Sequence, residues 1–404
     1  MAELAPLSEP GLVPQAVAHA LGISEQPGRP LLGTLTEALR DKEMLLVMDN
    51  CEHLIQASSN LAEDLLSSCP RLRILATSRE PLGIRGEAVR QVGPLSLPET
   101  SNGQSTAESL MRCEAVRLFV ERARVTVPGF GLTEGNAGAV VRVCRRLDGI
   151  PLAIELAAAQ LGDSAVEQVA GGLERSLDLL QSSGRSVESK HKTLRSTLDW
   201  SYNLLGEIER ALFGRLAVFA GGCTLDAAEQ VCSGRGIEQY EVLDLLVRLV
   251  DKSLVVAGAA SEGAVRYRML EPIRQYAREK LDEIGQAYEA RDRHAEFFLA
   301  LAEEAEPELD GPQQRLWVER LDEEHDNLGA ALLRALELGE GELALRLGAA
   351  LWRFWFARGY YGEGTTWLEQ VLAAGDPKAS STRVKAIEGL GWLTQRQGDT
   401  ERAE

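Results

Sequence analysis

Two short apolar runs near the start of the chain end in side chains able to handle a metal ion and a phosphate. MLLVMDN (Met44–Asn50) reads as a buried strand that closes on Asp49 and Asn50, and RILATSR (Arg73–Arg79) as a second that closes on Thr77, Ser78 and Arg79. A carboxylate held at the carboxyl end of a strand can bind Mg²⁺ directly or through water, with Asn50 and Glu52 placed to orient that water. A guanidinium held beside it can grip a phosphate with two parallel N–H donors, which a lysine does less specifically. Taken singly, each feature is also what an ordinary strand-terminal turn carries, with Arg79 pairing to Glu80 or Glu52 on the surface. Further on, DGIPLAIELAAA (Asp148–Ala159) sets Gly149 and Pro151 just ahead of an Ala-rich helix. Such a turn brings backbone close to a ligand, an adenine ring for example, or simply starts a helix.

Those side chains need a frame. Cys51–Ser68, between the two runs, has Leu54, Leu61 and Leu65 at helical spacing, so the sequence predicts a strand–helix–strand unit with both functional ends on one edge of a parallel sheet. VRQVGPLSLP (Val89–Pro98) predicts a further short strand closed by prolines, and SNGQST (Ser101–Thr106) a polar loop. From there the pattern is helical, with Glu114–Val125 and Asn136–Gln160 each carrying an apolar face. Thr193–Cys232 reads as a helix–turn–helix, followed by a helix over Glu241–Lys252. Two β-like runs, Ser253–Gly258 and Val265–Leu270, complete the pattern of a winged helix. Beyond Gly285 the chain is helical and acidic. Trp352–Val371 and Trp392–Glu404 align at an offset of 39 residues, Gly359 falling on Gly398, which suggests helical-hairpin repeats of the tetratricopeptide type. Trp352, Trp355, Tyr360 and Tyr361 suit either an exposed protein-binding face or the core of those repeats.

Composition excludes several classes. With 43 basic and 61 acidic residues the formal charge is −18, and no third of the chain is basic, which opposes nonspecific attraction to nucleic acid or anionic membranes. Arg195, Arg210 and Arg215 are too few and too interleaved with acids to make a phosphate-tracking face. No apolar run is long enough to span a bilayer and the amino terminus has no signal-like core, so the expected location is cytoplasmic. The six cysteines form no CxxC pair and have no histidine at zinc spacing, and are read as reduced and structural.

LLVMDNCEHL, RILATSREPLGIRGE, VGPLSLP, AVRLFVERA, LDGIPLAIELAAA, TLRSTLDWSYNLL, LFGRLAVFAGGCTLDAAE, LLVRLVDKSLV, YRMLEPIRQYA and EEHDNLGAAL occur in that order. Together they resemble the ATPase core of bacterial transcriptional regulators of the AfsR/SARP and large LuxR kinds, members of the STAND class related to NB-ARC ATPases. The resemblance covers essentially the whole chain. It implies a switch held closed by ADP and opened by ATP, with repeats at the carboxyl end receiving the signal. It implies Asp49 as the Walker B acid and Mg²⁺ ligand with Asn50 beside it, Arg79 as the sensor 1 arginine, and Gly149 and Pro151 as the GxP turn on the adenine side. Met269–Leu270–Glu271 lies where many NB-ARC proteins carry Met-His-Asp, and Leu270 cannot make the histidine's phosphate contact.

The larger departure is that no G-x-x-x-x-G-K-[ST] and no Gly-Lys pair occurs anywhere. In the family a phosphate-binding loop, its helix and a strand precede the segment matching Glu3–Gly22. The expected fold is therefore α/β then mainly α. A partial P-loop-type parallel sheet without Walker A spans 1–97, a small helical domain 98–183, a winged helix 184–285 and truncated repeat helices 286–404. ATP or ADP and Mg²⁺ belong to a full-length form, and this chain holds none tightly. Expected partners are other protein domains or subunits through the repeats, and DNA only through a domain outside the chain. The alternative is a non-catalytic interaction scaffold built on a degenerate nucleotide fold.

Overall fold

The computed structural model describes residues 1–7, 9–26, 28–98, 106–162, 164–181, 189–259, 264–376, 378 and 380–398. Most of the polar loop expected at Ser101–Thr106, the boundary expected at Ser183 and the end of the second repeat lie outside these residues. Along the chain, β1 (Ala2–Glu3), α1 (Val13–Leu21), α2 (Leu31–Leu39), β2 (Met44–Asp49), α3 (Ile55–Ser68) and β3 (Leu72–Ala76) come first. They are followed by α4 (Ala107–Leu110), α5 (Glu114–Thr126), α6 (Glu134–Arg146), α7 (Pro151–Ala159), α8 (Val166–Gln181) and α9 (Ser189–Asn203). The next group is α10 (Glu207–Leu216), β4 (Cys223–Thr224), α11 (Leu225–Cys232), α12 (Val242–Asp251), β5 (Val256–Ala259), β6 (Val265–Arg268) and α13 (Glu271–Glu283). The chain closes on α14 (Ala287–Ala305), α15 (Gln314–Glu323), α16 (His325–Glu337), α17 (Gly341–Arg358), α18 (Tyr361–Ala374) and α19 (Ser381–Gln397).

The molecule is mostly helical and divides into two compact units. The first comprises residues 1–90, 219–221 and 291–404. The second comprises 91–218 and 222–290.

In the first unit β1, β2 and β3 form a parallel sheet in that order, with Leu46 opposite Ile74 and Glu3 opposite Asp49. Strand alternation sends Leu46 and Met48 into a core with Leu4, Leu35, Leu61 and Leu65. Each such leucine contributes about 1.5–3 kcal/mol on burial. The other face is a correction to the expected fully buried strand, for Leu45 and Leu75 are 56% and 52% exposed there. Helical cover lies on one side of this sheet only, among the described residues.

Trp352 and Trp355 are buried at 7% and 1% exposure, so they are core and not a binding face. Gly359 and Gly398 each end a helix in the left-handed conformation, which is why they align in sequence.

In the second unit α5–α9 pack around Phe119, Val140, Ile154 and Leu173. The strand expected at Val89–Pro98 does not form. Pro94 and Pro98 have no N–H to donate to a ladder. The run is instead pinned by Leu95 N–H to the Gly149 carbonyl (2.9 Å), by a reciprocal pair between Ser96 and Glu114 (3.0 Å each) and by Arg145 on the Pro98 carbonyl (2.7 Å). The wing is a three-stranded antiparallel sheet in the order β4-β6-β5. Two-residue β4 is too short to announce itself by alternation.

Gly149 has a φ of +69°, and a Cβ there would collide with the Leu95 carbonyl oxygen. Gly149→Ala is expected to cost about 2–4 kcal/mol, the sum of left-handed strain and overpacking. Hydrogen exchange at the Leu95 amide should then quicken more than tenfold; unchanged protection would dissociate the turn from this segment.

Candidate functional site

The parallel register brings the ends of β2 and β3 together as the spacing of the two runs requires. The Thr77 hydroxyl donates to the Asp49 carboxylate and accepts the Asn50 N–H at 2.9 Å. Thr77 N–H donates to the Met48 carbonyl (2.9 Å), and Cys51 N–H to the Thr77 carbonyl (3.0 Å). Asn50 is left-handed at φ +65°, a conformation asparagine tolerates better than most, and it turns the chain off the sheet edge into α3. Asp49 is half-buried and keeps its second oxygen for a further partner. The Arg79 guanidinium meets Glu52 at 3.0 Å while remaining 57% exposed, so the surface pairing is the one formed. Asp49, Asn50, Glu52, Thr77 and Arg79 thus make one polar edge.

Gly149 and Pro151 belong to the second unit. Gly149 follows left-handed Asp148, whose carboxylate accepts the Thr193 hydroxyl at 2.7 Å. Pro151 is exposed at the first turn of α7, where its missing N–H costs nothing. Both have complete structural reasons to be where they are.

The winged helix spends its cations internally. Buried Arg215 donates to the carbonyls of Cys232 and Gly234 (2.7 Å each), Arg195 pairs with Glu279 (2.7 Å), and Arg210 holds the Asn203 carbonyl (2.7 Å). Its third helix, α12, buries Val242, Leu245, Leu246 and Leu249 and turns Leu243, Asp244, Val247, Arg248 and Asp251 outward. One cation among two acids and two aliphatic side chains is a poor match for a phosphate backbone.

A second polar group was not anticipated. In the first unit the His325 ring meets Glu363 at 2.9 Å, and the Tyr360 hydroxyl lies 2.9 Å from Asp322 and 2.8 Å from His19 Nδ1. Arg358 also pairs with Asp322. An ionised Asp322 only accepts, so Tyr360 gives it the phenol proton and must accept from Nδ1–H of His19. The Nε2 lone pair of His19 then faces Asp322 at 3.8 Å. Burial pushes His19 below the usual histidine value despite Asp322. Burial would also lower His325, but Glu363, Asp326 and Asp322 carry it up to about 9. The neighbouring Asn327 is satisfied by Ala220 N–H (2.8 Å), Glu324 (2.6 Å) and His294 (3.2 Å). The only sequence signals for this group were the run EEHDNLGAAL and the turn ARGYYGEG, and neither shows which side chains meet.

Residues 205–282 match the winged helix-turn-helix domain family. The chain is 42% identical over 370 residues to the Mycobacterium tuberculosis protein named "Putative HTH-type transcriptional regulator Rv0890c". That match takes in 92% of this chain and 40% of the relative, so the chain spans about two fifths of that protein's length. A Mycobacterium bovis counterpart matches to the same degree. An uncharacterised M. tuberculosis protein, Rv0894, is 40% identical over 286 residues, 70% of this chain and 69% of its own length. The chain belongs to the family of these mycobacterial proteins. No helix among the described residues is long and apolar enough to cross a membrane, and no described group of His, Cys, Asp and Glu could hold a metal ion by itself.

Sign decides the pH behaviour of His325. Its folded value lies above the unfolded one near 6.5, so its stabilisation is complete below about pH 6.5 and disappears as pH rises through about 9. His19, shifted down, has the opposite sign and weakens the fold only on acidification. Urea midpoints taken from neutral to alkaline pH should show a loss on the order of 3 kcal/mol. Glu363→Gln should flatten that slope; an equal slope in the variant would remove the pair as its source.

Proposed function

We propose that this chain is the switch segment of a bacterial transcriptional regulator, in which the edge formed by β2 and β3 contributes the metal-binding half of an ATP/ADP site. The observation that carries the reading is the Asp49–Thr77 bond across the carboxyl ends of two adjacent parallel strands, which aims an acid outward at the position where α/β sheets take ligands. The regulator part rests on the winged-helix match and on the name of a relative that is 42% identical.

The residues present fit Mg²⁺ and not the phosphates. Asp49 has a free carboxylate oxygen, and Arg79 is exposed enough to leave Glu52 for a phosphate. A nest of backbone N–H groups with a following lysine, the usual cradle for β- and γ-phosphates, is not among these residues. In a longer form that supplies it, Mg²⁺ would neutralise phosphate charge while Asp49 held the metal, Asn50 oriented its water and Arg79 read the γ-phosphate. Other protein domains or subunits would act through the terminal helices. DNA would be read by a domain outside this chain, in keeping with the acidic and aliphatic outward face of α12. Direct DNA contact by residues 205–282 is the second reading, favoured by the domain match. A salt-sensitive gel shift by this chain would support it, and an absent shift would exclude it.

Two measurements test the main reading. Isothermal titration of this chain with Mg-ATP and with ADP should give weak binding or none. One charge-assisted contact from Arg79 is worth about 1.5–3 kcal/mol, against roughly 8 kcal/mol for micromolar affinity. Micromolar binding would place the phosphate site elsewhere. In a longer form carrying a phosphate loop, Asp49→Ala should abolish hydrolysis and leave ADP binding largely intact; undiminished hydrolysis would take Asp49 out of the site.

A further inference from the structure

The segment after α1 lies across the ends of α17, α18 and α19. Ser24 Oγ donates to the Arg358 carbonyl (3.4 Å), and the N–H groups of Glu25 and Gly28 donate to the carbonyls of Gly359 and Arg396 (3.3 Å each). The Glu25 carboxylate accepts the Gly362 N–H. We propose that Ser24, Glu25 and Gly28 form a releasable latch through which these helices set the position of α1, and with it the edge at Asp49. What the latch would regulate rests on the reading of that edge as half of an ATP/ADP site, whereas the coupling itself involves no nucleotide.

Footing is the first argument. Gly359 and Gly398 are the aligned turns of two successive helical segments, and the latch covers both. A Cβ at Gly359 would lie 2.9 Å from Ser24 Cβ, and one at Gly398 would lie 2.5 Å from Gly28 Cα. Only glycine at each turn lets the segment come down on it.

Weakness is the second. Ser24, Gln26 and Gly28 are exposed and Glu25 is half-buried, and none of the four has an apolar side chain to anchor it. Among these contacts only the Glu25 carboxylate brings a charge. Segments with few buried apolar contacts open locally at far lower cost than the whole fold. Gly22 ends α1 at a left-handed φ of +64° with open space where a Cβ would stand, so the chain can swing there while α1 stays folded.

Connection is the third. On its other side α1 is preceded by residues tied to the edge: Leu4 N–H donates to the Asp49 carbonyl (3.0 Å) and His53 Nε2 meets the Leu7 carbonyl (2.9 Å). Val13 and Val17 pack in the core beneath the sheet, so α1 moves against the strands as one body. With the latch closed, α1 is held to the terminal helices at two places, the latch and the His19–Tyr360 contact. With it open only the second is left, and the helix can pivot. A two-state element of this kind, biased from both ends, is what coupling between sites requires.

The test is amide hydrogen exchange on the nucleotide-free chain, native and Glu25→Ala. Gly362 should exchange at least about tenfold faster in the variant, the effect of losing one charge-assisted bond. Leu4 and Cys51, whose amides close the edge, should quicken as well, while amides of α5 in the second unit stay unchanged. Linkage demands the converse: Thr77→Val, which frees Asp49, should quicken Gly362. Unchanged exchange at Gly362 in Glu25→Ala would overturn the latch, and so would equal acceleration in α5, which would make Glu25 a general stabiliser. Faster Gly362 with Leu4 and Cys51 unmoved, or a Thr77→Val chain with native exchange at Gly362, would overturn the coupling. Should Glu25→Ala not fold, Glu25→Gln, which keeps the shape and loses the charge, carries the same expectations at a smaller factor. Undiminished hydrolysis by Asp49→Ala in a longer form would remove the nucleotide reading and leave these exchange results standing.

Discussion

One carboxylate far from α18 in sequence caps that helix. Glu25, in the segment after α1, accepts the Gly362 N–H with both oxygens, at 2.9 and 3.1 Å, although 337 residues separate them. Gly362 lies in the first turn of α18, which has no side-chain cap of its own. The first N–H groups of any helix lack partners inside it and carry the positive end of its dipole. A half-buried acid from another part of the chain satisfies both demands. Burial pushes the Glu25 carboxyl up while the Gly362 bond opposes that rise. Two weaker backbone contacts, Glu25 N–H to Gly359 and Gly28 N–H to Arg396 (3.3 Å each), keep the same register. On the same turn Tyr360 reaches His19 and Glu363 reaches His325.

Much of the local structure was legible because it rests on local chemistry. The strand at Met44–Asp49 and the helix over Ile55–Ser68 follow from apolar spacing, and the edge that joins Asp49 to Thr77 follows from two parallel strands of similar length. The glycines at 359 and 398 aligned because each ends a helix in the left-handed region. Sequence failed where a partner comes from afar. VGPLSLP looks like a strand, yet its partners are Gly149, Glu114 and Arg145, and prolines deny it a ladder. The histidine group depends on α1, α15, α16 and α18 meeting, which no spacing rule contains. The leucines at 45 and 75 sit in runs that read as buried on both sides, whereas alternation buries only half of each.

The winged helix combines a complete core with an acidic and aliphatic outward face on its third helix. Its hydrophobic core is complete, with Arg215 fastening the end of α11 and Lys252 paired to Glu209 at 2.8 Å inside the domain. Domain matching registers that core. What a winged helix touches is decided by the outward residues of α12, and here the aliphatic side chains of Leu243 and Val247 occupy the positions where a nucleic-acid reader would place cations.

Apart from residues 219–221, the first unit is assembled from two stretches of chain separated by about two hundred residues, 1–90 and 291–404. On a ribosome adding about 5–20 residues per second, the early stretch would wait roughly 10–40 seconds for the helices that complete it. During that interval Gln15 and His19 on α1, and the Glu25 carboxylate after it, face water. Local contacts of the intervening segment can form meanwhile, since residues 91–218 and 222–290 make a compact unit of their own. Vectorial synthesis thus favours an order in which the inner segment settles first and the amino-terminal stretch remains an open half until the last helices emerge.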